Sequence, residues 1–119
     1  MHPHPNTIAI SDLDDQLLLR RTAPDDYVVE VAHTTKGRLP VGRIMRVMRA
    51  SQRIAWSWSL VGPYAAEAKV TTIGEAADRE EAKVALRAAY DTVLRWAAAE
   101  RGGALVWHIG VDRADPSEV

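Results

Sequence analysis

The chain has 119 residues, 47% hydrophobic and 26% charged, with a formal net charge of −1, a balance that excludes a disordered or collagen-like polymer and suits one globular domain. It has no cysteine, which excludes disulfides, thiolate metal sites and a cysteine nucleophile and fits a reducing cytoplasm. No apolar run approaches the roughly 20 residues that cross a bilayer, and no basic, apolar leader opens the chain, so the sequence reads as a soluble cytoplasmic protein without a membrane partner.

Residues 1–10, with a proline-punctuated polar start from Met1 to Thr7, read as a flexible N-terminus before a single domain over 11–112 and a polar tail over 113–119. Ser11 has the character of a helix cap. Asp12, Asp14 and Asp15 suit the positive end of a helix dipole, and Leu13, Leu17 and Leu18 have helical spacing, so a short N-terminal helix is predicted, with a strand pair as the alternative. Ala23-Pro24-Asp25-Asp26 signals a turn, and Tyr27 to His33 a strand with Tyr27, Val29 and Val31 on one face. Lys36-Gly37-Arg38 and Pro40 break the chain again. Gly42 to Arg49 is assigned as a strand, although Ile44, Val47 and Met48 also suit a helix. From Arg53 to Val61 the alternation is strict: Ile54, Trp56, Trp58 and Leu60 form a bulky apolar face, and Ala55, Ser57 and Ser59 a small one. Gly62-Pro63 ends this strand, and the β-branched run from Lys69 to Gly74 predicts another.

Asp78 and Glu81 form a capping-box pattern for a long helix running to Arg101. Ala82, Leu86, Ala89, Tyr90, Val93, Trp96 and Ala97 make its apolar stripe, and Arg87, Asp91 and Arg95 are spaced for pairing on the solvent side. Gly102-Gly103 terminates the helix, and Ala104 to Val111 predicts a last strand. The expected architecture is α+β: an antiparallel sheet of three to five strands packed on one long C-terminal helix, about 78–101.

The small net charge conceals an uneven distribution. Residues 1–30 sum to −4, residues 31–66 to +6, and the remainder to −3. The bases of the middle segment, Lys36, Arg38, Arg43, Arg46, Arg49 and Arg53, occupy an acid-free stretch. Guanidinium forks pair with phosphate or carboxylate, so these six are the candidate binding residues for an anionic partner, nucleic acid or an acidic protein surface. Solvated edge charges are the plainer explanation. In a strand, Arg43 and Arg49 share a face and Arg46 points the other way.

Trp56 and Trp58 suit either a base-stacking platform or, because a long apolar helix stripe must be covered, the interior of the fold facing Trp96; the second use is expected. His33 and His108 lack a spaced catalytic or metal-binding partner, and His108, beside Trp107 in an apolar strand, reads as structural; His2 and His4 are spaced to catch a metal ion but lie on the flexible N-terminal segment. No phosphate loop, nucleophile elbow or defensible acid pair is present, so neither an enzyme, a metal nor a cofactor is expected.

Gly42-Arg43-Ile44, Trp56-Ser57-Trp58-Ser59, Gly74-Glu75-Ala76 and Arg79-Glu80-Glu81-Ala82-Lys83 with Arg87 resemble a pattern in a group of short, uncharacterised proteobacterial proteins. That resemblance covers the middle half of the chain and implies no activity. The order of three strands and an acidic-capped helix also resembles HicB-type antitoxins and the AP2-like DNA-binding arms of phage integrases. The expectation is therefore a non-catalytic binding module that contacts an anionic partner through its basic segment. The alternative is an antitoxin-like or phage-derived interaction factor acting through a sheet edge or as a homo-oligomer.

Overall fold

The computed structural model describes residues 7–61 and 68–107, and within them the chain is α+β, with a five-stranded and a two-stranded antiparallel sheet packed on one helix. Strand β1 (Thr7–Ala9) passes through a 3-10 turn (Ile10–Asp12) into β2 (Leu13–Ala23), β3 (Asp26–His33) and β4 (Gly37–Met48). A second 3-10 turn (Ala50–Gln52) leads to β5 (Ile54–Leu60), β6 (Ile73–Ala76), helix α1 (Arg79–Glu100) and β7 (Ala104–Val106). The large sheet is a meander in chain order, β2-β3-β4-β5-β6, while β1 pairs with β7.

The N-terminal segment differs from the predicted helix: Leu13–Ala23 is extended and forms a hairpin with β3 across the turn at Pro24-Asp25. The leucines fit both periods, and pairing decides between them, because Leu17 and Leu19 lie opposite Val31 and Val29 on the covered side of the sheet. Thr7–Ala9, assigned to the flexible start, is strand β1, and Ile8 is buried opposite buried Leu105. Pro40 does not break β4. It adjoins a bulge at which Val29 pairs with Gly42 and Glu30 with Pro40, and a bulge is where a sheet tolerates a missing amide donor. Strand β6 starts at Ile73 rather than Lys69, because Lys69 sits in a turn at positive φ. The last strand is described as far as Val106; the remainder of the predicted run, His108 included, lies outside the described residues, as do Gly62-Pro63 and the polar tail.

The helix start follows its sequence. Asp78 accepts the amide of Glu81 at 2.8 Å, and the Glu81 carboxylate accepts the amide of Ala77 at 2.7 Å. Gly102 and Gly103 follow the helix, both at positive φ.

Directly opposed residues share a face, so the register divides the large sheet into two sides. On the inner side run two rows, Leu19–Val29–Gly42–Leu60 and Tyr27–Ile44–Trp58–Gly74. Helix α1 lies against β4, β5 and β6 on this side and buries Ala82, Leu86, Tyr90, Val93 and Ala97 there. Two glycines set the depth of that contact. A Cβ on Gly42 would strike the Ser59 carbonyl and the Leu86 methyl, and one on Gly74 would enter the Trp58 indole. Trp58 and Leu60 are buried, whereas Trp56 is half-buried against the core and Ile54, at the rim, is 40% exposed. Beyond β7, the buried Trp107 donates from Nε1 to the Pro40 carbonyl at 2.7 Å and ties the second sheet to β4.

Trp58→Ala should cost about 3 to 5 kcal/mol, because the indole fills the space between Gly74 and the helix and cannot be replaced by local collapse. Urea or thermal unfolding measures it.

Candidate partner-binding face

Helix α1 covers one side of the large sheet, and the other side carries the charged rows Arg20–Val28–Arg43–Ser59–Ile73 and Asp26–Met45–Ser57–Glu75. Five of the six predicted binding residues have a carboxylate neighbour. Arg43 makes a two-pronged contact with Asp26, at 2.9 Å from Nε and 2.6 Å from Nη2. Arg38 stands 3.7 Å from Glu30, which is also held by Arg20 at 3.1 Å. Arg49 and Arg53 both reach Glu75, the latter at 3.7 Å. Arg46, opposite Trp56 and so on the helix side, stands 3.4 Å from Asp25. Lys36 is exposed in the turn between β3 and β4.

Local backbone geometry brings Arg49 and Arg53 together. Ser51 and Gln52 adopt positive φ in the connection between β4 and β5, so the chain turns back tightly enough for the Arg49 amide to donate to the Arg53 carbonyl at 2.7 Å. Both guanidiniums then converge on Glu75 from the next strand but one in the sheet. The six bases are thus not one cluster: Arg38, Arg43, Arg49 and Arg53 belong to the outer side, Arg46 to the inner rim and Lys36 to a turn.

Sequence reasoning missed the acids that face them. Asp25, Asp26, Glu30 and Glu75 all lie outside the acid-free stretch, and only the register of β3 and β6 brings them beside it. Arg20 was also missed. Even so, among the described ion pairs the outer side holds five guanidiniums, of Arg20, Arg38, Arg43, Arg49 and Arg53, against three carboxylates, of Asp26, Glu30 and Glu75. The face retains a positive excess, and Arg38 and Arg53 remain 54% and 64% exposed.

The Arg43 hydrogen bonds hold the Asp26 carboxyl below the usual carboxylate range, against a smaller opposing effect of desolvation, and Asp26 in turn raises the Arg43 guanidinium. Tyr90 is the other perturbed group. Burial pushes its hydroxyl up to about 12, and its buried Oη has no hydrogen-bond partner among the described residues.

His33 holds the turn between β3 and β4. Its ring Nδ1 accepts the amides of Thr35 and Lys36, both at 3.1 Å, which leaves the proton of the neutral ring on Nε2, 4.0 Å from Asp12 Oδ2. Among the described residues no group of three or more histidine, aspartate or glutamate side chains is placed to hold a metal ion, and no helix is long and apolar enough to cross a membrane. Trp56 and Trp58 both belong to the helix side, so neither faces outward among the arginines. Comparison with family models, with curated proteins and with solved structures finds no match to the chain.

The Asp26–Arg43 pair should stabilise the fold by no more than about 1 kcal/mol, since both groups meet water. Because the folded-state pKa of Asp26 is depressed, that contribution is complete above the ordinary carboxylate value of about 4 and fades as pH falls through the lower folded value. The difference in stability between wild type and Asp26→Asn should therefore shrink on acidification, as denaturant melts across that range can measure.

Proposed function

We propose that the chain is a non-catalytic, cytoplasmic binding module that presents the helix-free side of its sheet to an anionic surface, an acidic patch on another protein. The observation that carries this reading is the outer face itself, which among the described residues has five guanidiniums for three carboxylates and no helix over them. Arg20, Arg43 and Arg49 are each held by a neighbouring carboxylate, so little side-chain order remains to be gained at those three on contact. An incoming carboxylate can join the unfilled donors of Arg38 and Arg53, which hold their partners only at 3.7 Å.

Two features favour an acidic protein over nucleic acid. The tryptophans that would stack bases face the helix and not the arginines. The sequence pI of about 6.4 points the same way, since nonspecific nucleic-acid binders are basic.

Fluorescent poly-L-glutamate, a single-stranded oligonucleotide and a duplex, each titrated over a salt series, test the proposal. Poly-L-glutamate should bind at low salt, and a variant combining Arg38→Ala, Arg49→Ala and Arg53→Ala should bind it roughly tenfold more weakly, as three rim charges are worth together. Tighter binding of either oligonucleotide, weakened by the same substitutions, would reassign the face to nucleic acid. No binding of any probe at low salt would end the proposal.

A further inference from the structure

We infer that the edge of β2 that is unpaired among the described residues pairs with the same strand of a second copy, making a two-fold homodimer with one continuous sheet. The edge shares only Arg20 with the arginine face, and the pairing rests on Leu17 to Leu19, Asp15 and Arg21, so this inference stands independently of the proposed function. Strand β2 is an outer strand of the meander and, at 11 residues, is much longer than the four-residue β6 at the opposite edge. Its centre is Leu17-Leu18-Leu19, all half-buried, flanked by Asp14 and Asp15 on one side and by Arg20 and Arg21 on the other. Exposed edges are normally blunted by charges, but here the charges differ in sign at the two ends, which invites antiparallel pairing of the strand with itself.

The register follows from faces and charge. A two-fold axis normal to the sheet keeps inner residues opposite inner residues. Leu17 and Leu19 are inner, opposite Val31 and Val29. At the bulge Asp15 and Gln16 both line, with those two leucines, an open groove of about 620 Å³ between β2 and α1, and Arg21 lies opposite inner-side Tyr27. With the axis at Leu18, Leu17 meets the partner's Leu19, Leu18 meets the partner's Leu18, and Asp15 meets the partner's Arg21, the outer two contacts occurring twice. A slip of two residues sets Arg21 against the partner's Leu17, or Asp15 against the partner's Leu19, so the alternatives oppose charge to leucine.

Within the described residues of one copy, Asp15 and Arg21 make no ion pair, whereas the adjacent Arg20 is already held by Glu30 at 3.1 Å. The backbone at the acidic end is fixed as well. The strand bulges between Leu13 and Leu17, and Arg87 donates from Nη1 to the Asp15 carbonyl at 2.6 Å, which anchors the bulge to the helix.

Sedimentation equilibrium over a concentration series tests this on the full chain, with circular dichroism confirming that each variant folds. Wild type should approach twice the 13.1 kDa chain mass as concentration rises. Arg21→Asp should weaken dimerisation about tenfold or more, since two contacts become repulsive at once, and Asp15→Arg with Arg21→Asp should restore it by exchanging the signs. Should Arg21→Asp misfold, Asp15→Arg alone carries the same expectation. A chain that stays monomeric at every concentration, or a dimer indifferent to the charge exchange, would overturn the inference.

Discussion

The packing of α1 on one side of a five-stranded meander decides what every other part of the molecule can do. A helix of 22 residues buries its stripe on β4, β5 and β6, and the contact is close because Gly42 and Gly74 leave space for Leu86 and Trp58. Apolar burial of this kind is the main favourable term in folding, and it uses up the bulky aromatic side of β5. The indole of Trp58 is thereby removed from any role as a stacking surface. Among the described residues, what the helix leaves uncovered is the opposite side of the sheet and its long edge, where residues are small, charged or half-buried.

Those leftover charges are arranged by strand pairing rather than by chain position. The acid-free stretch that holds Arg38, Arg43, Arg49 and Arg53 is flanked in sequence by acidic segments, and a meander folds the flanks back beside it. Glu30 of β3 arrives between Arg20 and Arg38, Asp26 beside Arg43, and Glu75 of β6 under Arg49 and Arg53. A strongly dipolar sequence becomes a mosaic of alternating sign with a modest positive excess. Such a surface contributes little to stability, since exposed pairs are weak, but it defines which partner charges meet attraction and which meet repulsion.

Much of the architecture is legible in the residues. The strict alternation of Ile54 to Leu60, the Asp78–Glu81 cap and the Gly102-Gly103 stop each specify one backbone geometry, and each is present. The failures have a common physical source, which is that a local pattern fits two structures and a distant partner selects between them. Leu13, Leu17 and Leu18 match a helix as well as a strand until Val29 and Val31 offer a ladder. Pro40 looks like a breaker until a bulge accommodates it, and Thr7–Ala9 looks idle until Leu105 covers Ile8. The predicted binding residues divide in the same way. That Arg43 and Arg46 point to opposite sides follows from a period of two, but the carboxylates beside them follow only from register.

The same logic bears on why β2 is extended at all. Its acids lie at the start and its bases at the end, an order that suits a helix dipole, and a three-leucine centre satisfies either geometry. As a helix, the segment would leave Val29 and Val31 without their ladder neighbours on the inner side, where α1 packs mainly on β4, β5 and β6. As a strand, it completes the row from Leu19 through Val29 and Gly42 to Leu60, at the cost of an open edge carrying both signs of charge. Inner-side burial therefore overrides local helix preference, and the charge order that looked like a dipole match becomes a feature of the sheet's exposed margin.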